Sequence, residues 1–445
     1  MFQSSRSRFL VCLVWTLVVL PLQVENARGQ TRLQPTDISY EGAFKLDPKT
    51  GPAEFATWAY TNAPVAYFPG GDQNGSNDGY PGSLFMAGHV YNSMVAEMSI
   101  PAPVKSKDAN ALPTARFLQP FKDVLAGVPR AAGFIMGLAY LPPQGPQTKG
   151  CLHYCVSSDY QDVNSPAPAH GWFQTDLSAP ATAGTWYVSG ESVWNTGRYV
   201  AEVPLEWANA NTPGLRLAVG RHRNSWGSAE GPNLFAISPW ASGNPPAAGT
   251  SLSPSRTLMT FGGPGTSTQY QDFAGSDTYQ GLVWLTAGGK SAVVVTGIKE
   301  LNEARAYYGY ENWKTPEQCE PSGTCEGQRG WRCGDGRASM LFFDPADLAA
   351  VVQRSKQPHE VVAYARLDIN SFMLNPIPPT FLTTGAQAET LCASFDRARG
   401  LIYITESYAL GTAPVVHVFR VRSDSTSVTL DTTPPASPLN LHVTQ

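Results

Sequence analysis

Five short clusters in this chain carry side chains able to do chemistry: His89, Ser158-Asp159-Tyr160, Arg221-His222-Arg223, Lys299-Glu300 and Glu406-Ser407-Tyr408. Glycosidic hydrolysis needs one carboxylic acid to protonate the leaving oxygen and a second carboxylate to attack or to activate water. Asp159 and Glu406 are the candidate pair, with Glu300 in reserve. Elimination from a uronate polymer needs a cation on the sugar carboxylate and a Tyr or His to remove a proton, roles that suit Arg221, Arg223, His222 and His89. Tyr160, Trp226 and Tyr408 can stack on sugar faces. The mixture of acids and bases leaves hydrolysis and elimination both open. Binding of a glycan or protein without turnover is the alternative from a different class.

Other constellations fail on their spacing. Gly289-Lys290-Ser291 ends like a phosphate loop, but position 284 is Trp where that loop needs Gly. There is no Gly-x-Ser-x-Gly elbow and no His-Glu-x-x-His. Asp72, Asn74, Asn77 and Asp78 are dense enough in oxygen to hold Ca2+, but the twelfth position of an EF-hand loop is Ser83. A plain Asx/Gly turn explains the same residues, and no cofactor is required.

For these clusters to meet, the elements that carry them must be equivalent. Segments with strand character recur in one order, with short turns between some and long loops between others. The first set is Pro64–Phe68, Ser83–His89, Val95–Ile100 and Ala115–Phe121. The second is Phe134–Tyr140, Cys151–Val156, Gly171–Thr175 and Thr185–Val188. The third is Arg198–Val203, Leu215–Val219, Asn233–Ile237 and Arg256–Phe261. The fourth is Gly281–Leu285, Ser291–Thr296, Ser339–Phe343 and Val361–Ala365. The fifth has only Glu389–Phe395, Leu401–Thr405 and Val415–Phe419, and Ile38–Phe44 supplies its missing strand. Such an order predicts an all-β, five-bladed β-propeller of four-stranded blades, closed by its N-terminal strand. At about 77 residues per blade over 38–421, the repeat exceeds the usual 40–50, so either the excess belongs in loops or the blades number six or seven. Each polar cluster ends a second strand, so all five should open toward one loop-rich face.

This layout resembles secreted bacterial five-bladed propeller proteins, propeller glycosidases among them, although the sialidase Ser-x-Asp-x-Gly-x-x-Thr-Trp box is missing. The tail Asp431–Val443 resembles the lead-in to a fibronectin type III module, and residues 426–445 read as linker. The resemblance implies action on an extracellular polysaccharide or glycan.

Composition agrees with a β protein. Only 15% of residues are charged, while Gly (41), Pro (37) and aromatics are abundant, which excludes a disordered chain or a helical bundle. The net charge of −4 and the lack of a basic run argue against nucleic acid as partner. Arg6 and Arg8 precede an apolar run, Phe9 to Leu22, too short to span a bilayer. With Ala27 and Gly29 following, residues 1–29 read as a signal peptide, and 30–425 as a secreted propeller with no membrane contact after cleavage. Export permits disulfides, expected among Cys319, Cys325 and Cys333 in a Gly-rich loop. Cys151 and Cys155, about 13 Å apart on one strand, cannot bond to each other.

Overall fold

In a computed structural model the described residues are 31–72, 75, 77–92, 94–128, 133–157, 168–223, 230–263, 265–274, 277–301, 307–308, 331–332, 336–377 and 391–422. They form a five-bladed β-propeller. Blade 1 consists of Val65–Asp72, Gly82–Ala87, Met94–Ser99 and Phe117–Asp123, from the axis outward. Blade 2 is Phe134–Leu141, Cys151–Ser157, His170–Gln174 and Ala183–Val188. Blade 3 is Tyr199–Glu202, Leu217–Arg223, Glu230–Ile237 and Ser255–Met259. Blade 4 is Thr278–Ala287, Lys290–Glu300, Gly336–Phe343 and Ala365–Asp368. Blade 5 is Ala393–Asp396, Leu401–Leu410 and Ala413–Val421, completed by Ile38–Leu46, which pairs antiparallel with Ala413–Val421. The outer strand of blade 4 starts at Ala365, later than its sequence suggests, because Pro358–Glu360 first makes a 3-10 turn and Val361 is buried beside it.

The strands lack clean polar alternation because both faces of each blade are covered. In Lys290–Glu300, Val293 and Val295 pack toward blade 3, whereas Ala292 and Val294 pack toward blade 5. Apolar clusters of this kind fill all five interfaces between neighbouring blades. Period-two burial on two sides turns a strand into a continuous apolar run.

The inner strands touch in a closed ring. Glycines permit this contact. A Cβ on Gly137 of blade 2 would lie 3.0 Å from the Cα of Tyr199 in blade 3, and one on Gly281 of blade 4 would lie 2.5 Å from Leu391 O beside blade 5. A cavity of about 10 Å3 lies between the inner strands, lined by Val65, Gly137, Val200, Gly281 and Ala393, one from each blade. That space holds about one water. On the short-turn side Arg397 of blade 5 crosses to Thr286 Oγ1 of blade 4 (2.7 Å) and to Glu202 Oε2 of blade 3 (3.2 Å).

Blade 2 buries two histidines. Gln147 donates its amide to Leu141 and Pro142 carbonyls, so its Oε1 accepts from His153 Nε2 at 3.0 Å. Burial, reinforced by nearby His170, drives the His153 imidazole down to about 3, and burial takes His170 to about 4. The unfolded chain takes up a proton at each near pH 6.5, the folded chain only far below it, so their contribution to stability declines as pH falls through that window. From pH 7 to 5 wild type should lose ~2 kcal/mol relative to His153→Phe, whose apolar ring suits the Trp172 and Trp240 surroundings. Urea unfolding across that range measures it, and parallel curves for the two proteins would contradict a buried neutral imidazole.

Cys151, Cys155 and Cys392 are buried free thiols. Burial pushes Cys151 up to about 11 and Cys392 up to about 12. Cys319, Cys325 and Cys333, on which the expected disulfide rests, lie outside the described residues, as do residues 1–29 and 426–445.

Candidate functional site

Antiparallel connectivity sends the far end of every second strand to one face, where the long connections also emerge. His89, Arg221–Arg223, Lys299–Glu300 and Glu406–Tyr408 therefore share that face. Asp159, Tyr160 and Trp226 lie outside the described residues, as does the side chain of Arg223. The clusters form two separate groups.

The first group joins blades 2, 3 and 4. Arg221, His222, Lys299 and Glu300 are each at most 5% exposed. Arg221 reaches Ser157 Oγ (3.4 Å) and lies over the Trp194 ring at 4.8 Å. His222 meets the edge of Tyr279 with centroids 6.2 Å apart. Asp277 organises the rest: it accepts from Tyr279 Oη (2.9 Å), Lys299 Nζ (3.1 Å) and the Glu300 backbone N–H (2.8 Å). Burial raises the Asp277 carboxyl to about 6, against the pull of Lys299 and two backbone amides. These contacts make a polar seam between blades.

The second group joins blades 5 and 1. Glu406 is completely enclosed. Its carboxylate accepts from the backbone N–H groups of Leu374 (2.7 Å) and Asn375 (2.8 Å) and lies 2.7 Å from His417 Nε2. Nδ1 of the same ring lies 3.0 Å from Tyr40 Oη. Glu406 thus clasps the 369–377 segment to blade 5, a task that uses oxygens the hydrolytic scheme would turn toward sugar. Lys107, on the same side, donates to Met373 O, and burial lowers its ammonium despite the opposing pull of Glu406.

Just beyond Glu406 the ladder loses register, and Tyr408 adopts φ 61°. Its ring packs 6.4 Å from that of Tyr60, and Tyr60 packs 5.6 Å from His89. His89 also meets Phe55 at 4.7 Å and Tyr91 at 4.9 Å. Five aromatic rings thus assemble from three segments. Hydrogen bonds hold the segments together: Tyr60 N–H donates to Thr412 O (3.0 Å), His89 N–H to Thr57 O (2.9 Å), and Asn92 Nδ2 to Glu54 O (2.9 Å). The His89 ring is fixed as well, because its Nδ1 accepts from the Tyr91 N–H (3.1 Å), and burial lowers its pKa.

Two properties distinguish this cluster from ordinary core. Tyr91 is 67% exposed and Tyr60 44%. Phe55 and Tyr60 also sit at positive φ, 61° and 54°, as Tyr408 does. Left-handed backbone is a rare and unfavourable state for bulky residues, and it concentrates at ligand-binding places. Sequence reasoning found His89 and Tyr408 but missed Phe55, Tyr60 and Tyr91. Their signal was the presence of large aromatics in two connections of the loop-rich face, at 47–63 and 89–94.

The oxygen-rich turn lies at the end of the Val65–Asp72 strand, on the opposite face. Asp72 pairs with Arg116 at 2.6 Å, and Asp78 accepts from the Tyr80 N–H at 2.9 Å in an Asx-type turn. Asn74 is outside the described residues. Comparison with protein-family models and with curated proteins finds no match.

Proposed function

We propose that this propeller recognises an extracellular polysaccharide on its loop-rich face, with the rings of Tyr60 and Tyr91 as the stacking surface. The observation that carries this reading is the pair of exposed tyrosines braced around His89 by neighbours in left-handed backbone. Rigid, exposed rings present apolar area to sugar C–H groups with little loss of side-chain freedom, and their hydroxyls remain available to sugar hydroxyls. A backbone held in an unfavourable state to display them fits a surface arranged before its ligand arrives. Residues 1–29 would direct export in this scheme. Hydrolysis requires two carboxyl groups facing the bound sugar, and Glu406 is enclosed. Asp159, the other acid of that pair, lies outside the described residues, and the exposed rings favour recognition.

Glycan-array binding by the full-length chain, with titration of the best ligand, tests the proposal. Tyr91→Ala and Tyr60→Ala should each weaken binding about thirtyfold, as truncation of an aromatic hot spot costs about 2 kcal/mol. The unfolding midpoint of Tyr91→Ala should stay near wild type, because that ring is largely exposed. Undiminished binding by both variants would remove the tyrosines from the site.

A further inference from the structure

We infer that the polysaccharide held by these rings is uncharged. The inference rests on the recognition proposed above and narrows it to one class of glycan.

The three segments that build the ring cluster, 51–63, 88–92 and 406–412, contain no Lys or Arg. Their charged residues are Glu54 and Glu406, both acidic, and Glu406 is committed to backbone amides and His417. Burial lowers the pKa of His89 and raises that of Tyr408. Among the described residues, the buried cations of this face have internal tasks, Arg221 with Ser157 and Trp194, Lys299 with Asp277, and Lys107 with Met373 O, and the exposed Lys49 pairs with Asp47 at 3.5 Å.

A uronate would bring its carboxylate to segments that carry no cation of their own and do carry Glu54. Aromatic faces add to the mismatch, since their negative quadrupole attracts C–H groups and repels anions. A neutral pyranose offers what the surface can use: an apolar C–H face for the rings, and hydroxyls for Tyr60, Tyr91 and nearby backbone. The net charge of −4 disfavours a polyanion at longer range too.

Affinity electrophoresis of the full-length chain at low ionic strength provides the test, since salt would screen the very repulsion at issue. The gels would contain mixed-linkage β-glucan, galactomannan, polygalacturonate or alginate. At least one neutral polymer should retard the wild-type protein, and Tyr91→Ala should abolish the retardation. The uronate polymers should bind at least tenfold more weakly than that neutral polymer. Retardation by polygalacturonate or alginate that Tyr91→Ala abolishes would overturn the assignment of class but leave recognition at the rings in place. Retardation by none of the four polymers, together with an array that is also blank, would overturn both.

Discussion

Gly281→Ala should destabilise the protein by about 3 kcal/mol or more, at the upper end of what overpacking costs. The added Cβ would stand 2.0 Å from Thr296 Oγ1, 2.5 Å from Leu391 O and 2.7 Å from Ala393 N. Thr296 can turn away, although it would give up its hydrogen bond to Leu391 O. The Leu391–Ala393 backbone cannot retreat, because it belongs to the neighbouring blade and the ring is closed on every side. The inner strands of blades 4 and 5 would have to separate, opening apolar contacts along their whole shared interface. Gly289→Asn is the control: it lies in an open turn at φ 80°, where Asn is tolerated and the cost should stay below about 1 kcal/mol. Urea midpoints of the two variants separate crowding at the axis from a general need for glycine. A Gly281→Ala loss no greater than the control's would mean that the inner strands are not in contact.

Glu406→Ala should cost a similar amount, about 3–5 kcal/mol, by leaving three buried donors without their acceptor. Two backbone N–H groups and the His417 ring would lose their acceptor together at a position enclosed from bulk solvent. Glu406→Gln should lose less stability but still a measurable amount, since one of its oxygens becomes a donor facing other donors. Glycan binding should fall in both, because release of the 369–377 segment loosens Asn375 from Ala409 O and with it the support beneath Tyr408. The catalytic role that sequence reasoning assigned to Glu406 makes the opposite forecast: Glu406→Gln would keep full stability and lose only turnover. Denaturation and binding measured on the same preparations decide between them.

The scaffold was legible because its burial is regular. Runs such as Ala292–Val295 are apolar on two faces in a period-two element, and the short fifth set pointed to Ile38–Phe44 as the closing strand. The long repeat was misleading only in length, since its excess lies in connections such as 301–335. Closure of the axis was not legible. A glycine in a strand looks alike in sequence whether it marks a bulge or admits a neighbouring backbone, and only the ring shows that Gly137 and Gly281 do the latter. The surroundings of Glu406 were hidden for a related reason: a carboxylate at a strand end has the same sequence whether it faces water or the amides of Leu374 and Asn375, which lie about thirty residues away in the chain. Phe55, Tyr60 and Tyr91 escaped notice because loops have no periodicity. Residue type was visible, but the left-handed backbone and the proximity of three segments are tertiary facts.

Hydrogen–deuterium exchange of the full-length chain, with and without the best glycan from the array, tests most directly that the ring cluster is the recognition surface. Protection should appear in peptides covering 51–63, 88–92 and 406–412, and exchange on the opposite face, at 68–72 and 175–178, should not change. Protection of that opposite face with no change around Tyr60 and Tyr91 would contradict the account.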